Sequence, residues 1–132
     1  MQSALQNFAR VLRDFLNTFR EHAEEPCPNA NVLRSRKFYR VDDWDEVRHR
    51  RLAKQFDYYV DLVQDLGLEL TRAANLVCDE IRAHLVPSFF LSEGRLSILL
   101  GPQADMSWRQ MVVQYGEAEK ASPFPYPGLD QF

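Results

Sequence analysis

The residue types that most often do chemistry are all present in this chain, but they are not gathered. His22, His49 and His84 stand singly, and neither Cys27 nor Cys78 has a second cysteine close by. A zinc site needs ligands at short helical or loop spacing, and no pair here has it. Cys78 and His84 lie six apart in a helical stretch, on different sides of it. Seven serines are scattered from Ser3 to Ser122, and none sits in the glycine-flanked turn that exposes a nucleophile beside a base. The five glycines are isolated from one another, so no loop can cradle a phosphate. Asp42, Asp43, Asp45 and Glu46 form a carboxylate cluster that capping of a helix explains. The expectation is a protein that is not an enzyme, with no catalytic residue, no metal and no cofactor.

Charge is arranged more informatively. Asp57, Asp61, Asp65 and Glu69 step by four, an acidic stripe on one helix, although like charges at that spacing mildly destabilise it. Just before them come Arg48, Arg50, Arg51 and Lys54. The element carries a basic end and an acidic middle. One reading is a solvated face, partly neutralised by Arg10, Arg13 and Arg20. A second is self-association, head-to-tail or antiparallel, with basic end on acidic stripe. A third, nucleic-acid binding through Arg34, Arg36, Lys37 and Arg40 beside Phe38 and Tyr39, runs against the neighbouring acids and the net charge of −3. The expected partner is a protein, either an effector or a second copy in a homo-oligomer, and not nucleic acid.

Helices must position these charges. Leu5, Phe8, Leu12, Phe15 and Phe19 have three-four spacing, so an amphipathic helix is expected from Ser3 to near Glu24. "EEPCPNAN" stops it, and an irregular basic connection that could hide a short strand follows. "VDDWDEV" opens a second helix, with Asp42 or Asp43 as cap and a capping-box-like spacing from Asp43 to Glu46. Its apolar positions Leu52, Phe56, Tyr59, Val63, Leu66, Leu70, Ala73, Val77 and Ile81 keep a hairpin or coiled-coil seam. The register runs straight through Gly67 despite a propensity cost of roughly 1 kcal/mol. One helix from about Asp43 to Leu85, about 65 Å long, is favoured over two broken at Gly67. The first helix is about half that length, so the C-terminal segment or a second copy must cover the remainder.

After Pro87 the period changes to two. "SFFLSEGRLSILLGP" predicts strand, a tight turn around Glu93-Gly94, and strand; "MSWRQMVVQYG" predicts a third, with Trp108 as a core anchor. The expected class is α+β: a helical hairpin, a small antiparallel three-stranded β-meander, and an extended Pro-rich tail. At 132 residues this is one domain's worth of chain, with 45% apolar and 27% charged residues, ordinary globular values. No apolar run could cross a bilayer and no signal pattern opens the chain, so a cytoplasmic protein with free thiols and no membrane partner is expected.

The chain closes on "PFPYPGLDQF". Pro125, Tyr126, Gly128, Leu129 and Phe132 resemble a Pro-Tyr-x-Gly-Leu-x-x-Phe phrase that immediately precedes the nucleotide-binding core in many bacterial STAND-type NTPases. The resemblance covers about eight residues. It implies that residues 1–116 are an N-terminal, effector-associated interaction module of a signalling or antiviral-defence NTPase. Residues 117–132 would then be a linker to a domain not contained in this sequence, on which Tyr126, Leu129 and Phe132 would pack. No catalytic residue of that family falls here. The alternatives are a free-standing dimeric regulator or antitoxin-like binder, and an effector that acts mechanically or on membranes.

Overall fold

The computed structural model describes residues 1–90 and 94–132. Its first helix, α1, runs Gln2–Glu21, and the second, α2, runs unbroken for 39 residues from Glu46 to His84. Continuity through Gly67 follows from the intact seam on both sides of it. The cap of α2 is Asp45, whose side chain accepts from the Arg48 N–H at 3.0 Å; Asp42 and Asp43 lie outside the helix and do not cap it.

The two helices form an antiparallel hairpin. The Met1 amino group pairs with Glu80, and at the other end the Tyr59 hydroxyl donates to the Phe19 carbonyl at 3.1 Å, satisfying an orphan acceptor of the last turn of α1. α1 thus lies on α2 from Tyr59 onward, and the first turns of α2 project beyond it. Ala4, Asn7, Val11 and Thr18 are the buried row of α1, whereas Leu5 is 49% exposed. The buried row is rotated from the apolar one because α1 is flanked on two sides, by α2 and by the C-terminal tail.

The connection does hide strands: β1 (Ala23–Glu24) pairs antiparallel with β2 (Arg34–Ser35). Beyond them Phe38 stacks among His22, Phe56 and Tyr59, and Tyr39 lies between His49 and Phe56. This aromatic layer covers part of the overhanging end of α2. Within the chain, the cover on this end comes from the connection rather than from the C-terminal segment, and part of the seam stays open.

β3 (Ile98–Leu100) and β4 (Arg109–Met111) pair antiparallel, Ile98 opposite Met111 and Leu100 opposite Arg109. Among the described residues this sheet has two strands, not the three of a meander. Ser88–Phe90 are turn, drawn to the end of α2 where Arg82 donates to the Phe89 carbonyl at 3.1 Å. The Glu93 side of the expected tight turn lies outside the described residues. Asn75, fully buried, holds the sheet segment to α2: its amide donates to the carbonyls of Leu96 (3.0 Å) and Val113 (2.9 Å) and accepts from the Leu96 N–H (3.0 Å). Trp108 is 58% exposed rather than a core anchor. Its ring lies over Gly101, where an added Cβ would stand 2.9 Å away.

The stretch expected as a linker folds back. Glu117–Lys120 form a short helix, α3, and Leu129–Gln131 a 3-10 turn entered through Gly128, whose φ of 110° suits only glycine. Between them Tyr126 is fully buried, in one cluster with Val11, Leu66, Ala73 and Tyr115. Its N–H donates to Asn7 Oδ1 (3.1 Å) and its hydroxyl to Asp14 (2.8 Å), while the Arg10 guanidinium sits 5.4 Å from the centre of the Phe124 ring. Tyr126 therefore packs within this chain, not on a following domain. Phe132 leans on the Tyr126 ring, and only its outer side and that of Leu129 face solvent.

Candidate interaction surface

An α-helix turns 100° per residue, so a row of residues four apart winds about 40° per step. That rotation divides the acidic stripe. Asp57, Asp61 and Asp65 are exposed, but the third step carries Glu69 to the inner side, where it is 5% exposed beside Leu66 and Ala73. There Glu69 accepts from the Tyr115 hydroxyl at 2.5 Å and from Arg72 at 3.4 Å, and Asn7 donates to the same hydroxyl at 3.2 Å. Glu69 belongs to the fold and not to the outer surface.

The group around it brings a carboxyl, a phenol, an amide and a guanidinium together. Burial, then the hydrogen bond to Glu69, pushes the Tyr115 hydroxyl far above its ordinary value; burial and Asp14 do the same for Tyr126. Both hydroxyls are held as donors to side-chain carboxyl oxygens, of Glu69 and Asp14 respectively, and a cleft of about 510 Å³ bordered by Arg72, Val113, Gly116 and Lys120 opens beside Tyr115. The chemistry of the Glu69–Tyr115 pair is that of a latch holding the tail to the helices. A second polar knot sits at Asp79, which pairs with Arg82 (2.5 Å), Lys120 (3.4 Å) and Arg95 (3.5 Å). Partial burial would raise the Asp79 carboxyl, but the Arg82 hydrogen bond and the three cations outweigh it and hold the carboxyl below its ordinary range.

The outer side of α2, from its first turns onward, carries both signs of charge in the open. Arg50, Arg51 and Lys54 are exposed and share their side of the helix with Asp57, Asp61 and Asp65. Among the described residues, Arg50 is the one cation of this set with an internal partner, Glu46 at 2.6 Å, an exposed pair worth about a few tenths of a kcal/mol. The residues between them are apolar and uncovered: Val47 is 80% and Tyr58 70% exposed.

Arg48 points to a different place. It stands at the rim of a groove of about 480 Å³, floored by Leu52, Tyr59, Leu62 and Phe38 and walled by Thr18, His22, Val41 and Tyr58. The groove opens where α1 ends and α2 continues. His22 Nδ1 is buried in its wall without a hydrogen-bond partner. The helix lengths already implied an uncovered stretch of seam, but the fold of the connection decided which residues line it. Arg34, Arg36, Lys37 and Arg40 border a separate, smaller cleft with Glu24. The neighbouring Phe38 and Tyr39 rings are spent on intramolecular stacking and are not presented to bases.

Among the described residues no group of histidine, cysteine and carboxylate side chains is placed to hold a metal ion, and no helix is long and apolar enough to cross a membrane. Cys27 is exposed and Cys78 buried, both as free thiols. No family model, curated protein or solved structure matches the chain.

Proposed function

We propose that this chain is a non-catalytic protein–protein interaction module, one that oligomerises or recruits an effector. The observation that carries the reading is the overhang of α2. A helix shorter at one end than its partner leaves several turns whose outer side alternates cations, acids and uncovered apolar groups. Among the described residues, the one ion pair on that side is the exposed one between Arg50 and Glu46. The exposed Val47 and Tyr58 supply apolar area at its centre, as the middle of an interface requires.

The Pro125–Phe132 phrase supports placing the module ahead of the nucleotide-binding core of a STAND-type signalling or defence NTPase. A second reading, a free-standing dimeric regulator, draws on the burial of Tyr126, which makes the phrase part of this module's own core. A reading frame that continues beyond Phe132 into a glycine-rich loop ending in Lys-Ser/Thr supports the first; a stop codon after Phe132 supports the second.

The interaction reading itself is tested by immobilising the chain and presenting the products of the neighbouring genes, with the free chain among them. Saturable binding of at least one, weakened by Tyr58→Lys, is expected. Failure of every candidate, the chain itself included, overturns the reading.

A further inference from the structure

We infer that the outer side of α2 is a two-fold interface on which two copies of this chain pair antiparallel, centred between Asp57 and Tyr58. This rests on the interaction-module reading and names the partner.

α2 carries two seams. The inner one faces α1. The outer one repeats every seven residues through Val47, Lys54, Asp61 and Leu68, with Arg51, Tyr58 and Asp65 in the intervening places. That is the heptad spacing of a coiled-coil contact. The first three members and all three intervening residues are exposed, and Leu68 is half-buried. The order of types along the seam is apolar, basic, basic, aromatic, acidic, acidic, apolar, which reads as its own electrostatic complement when reversed.

A two-fold axis across the helix exploits that order. Turning a second copy about an axis between Asp57 and Tyr58 sets Lys54 opposite Asp61 and places Arg50 and Arg51 beside Asp65. Symmetry makes each pairing twice. Val47 then meets Leu68 at both ends, and the two Tyr58 rings lie at the centre. A parallel arrangement would instead put Lys54 on Lys54 and Asp61 on Asp61. Like charges so placed select against it. Among the described residues, the pair Arg50–Glu46 leaves Arg51 and Lys54 unengaged, and Asp57, Asp61 and Asp65 have no cation within bonding distance. Glu69 is absent from the seam because it is committed to Tyr115.

The contact is a single helix face, roughly 30 Å long from Val47 to Leu68. It therefore belongs at the small end of specific interfaces, where affinity is modest and responds to salt. Exposed ion pairs contribute orientation more than strength; the apolar residues supply what hydrophobic gain there is.

Sedimentation velocity across a concentration series, at low and high salt, tests the arrangement. A closed dimer that dissociates at high salt is expected for the unaltered chain. Lys54→Asp alone and Asp61→Lys alone should each weaken it by about tenfold or more, since each turns two attractive contacts repulsive. The double variant Lys54→Asp/Asp61→Lys should restore dimerisation, because each reversed charge again meets its opposite across the axis. These positions are exposed, so circular dichroism should show all three variants folded alike. A monomer at every concentration, an open-ended polymer, or a dimer indifferent to both single reversals overturns the inference. A monomer that still binds a neighbouring gene product leaves the interaction-module reading standing without the dimer; a monomer that binds none removes both.

Discussion

Asp65 and Glu69 stand one turn apart on α2, are chemically near-identical, and have opposite surroundings. Asp65 looks into solvent from the outer side of the helix. Glu69 is enclosed by α1, the sheet segment and the tail, and accepts a 2.5 Å hydrogen bond from the Tyr115 hydroxyl. The halves of α2 differ in the same way. From Leu66 onward its buried residues include Ala73, Asn75 and Cys78, with Asn75 making three hydrogen bonds to the sheet segment. Before Leu66 only Tyr59 is buried. One helix thus serves as a spine where it is covered and as a display rail where it is not. Removing a side chain should cost stability on the first and association on the second.

The largest test of that division is Tyr126→Ala. It empties a fully buried ring site and breaks the link to Asp14, so a loss of about 3–5 kcal/mol is expected in urea unfolding; Tyr126→Phe should cost about 1 kcal/mol. Asn75→Ala comes next, at about 2–3 kcal/mol, because the Leu96 and Val113 carbonyls lose their partner. Amide exchange should accelerate around residue 96 while the middle of α2 stays protected. Gly67→Ala should work in the opposite sense. A Cβ there meets Ile98 at 3.6 Å and Phe15 at 3.9 Å, ordinary contact distances, so the helix gains about 0.5–1 kcal/mol.

Acid should loosen the covered half. The folded Asp79 carboxyl is held below its unfolded value, so its contribution is complete above the ordinary carboxylate range and is lost as pH falls through the lowered value. Asp79→Asn should flatten that limb of a stability–pH curve while lowering stability at neutral pH. The smallest effect sharpens the comparison most. Asp61→Lys on the display side should leave unfolding free energy within about 0.5 kcal/mol of the unaltered chain even as it weakens self-association.

Periodicity made both helices legible, and the seam's passage through Gly67 made α2 a single element. The length difference between them foretold an uncovered stretch. The i,i+3 spacing of Asp79 and Arg82 likewise puts them on one side of the helix, where they pair at 2.5 Å. Other features depended on what packs where. A four-residue step looks like a straight stripe in sequence, yet its slow rotation takes Glu69 inside. Leu5 belongs to the apolar row but is displaced from the buried one because the tail occupies the other flank. Asn75 looked like a polar intrusion in an apolar run, and only the return of residues 96 and 113 gives its amide something to hold. The Pro-rich phrase looked like a boundary, since stiff segments with turns commonly mark one. Tyr126 instead closes the core, an outcome that needs Asn7 and Asp14 at the far end of the chain.

That last contact has a consequence for how the molecule is made. The hydrogen bond from the Tyr126 N–H to Asn7 spans 119 residues, so the hairpin of helices leaves the ribosome with its tyrosine-filled site still vacant. At about 5–20 residues per second, synthesis from His84 to Tyr126 takes roughly 2–8 s. Throughout that interval Val11 and Leu66 lack the ring that later covers them. The nascent hairpin therefore keeps an open apolar site until Tyr126 folds back onto it.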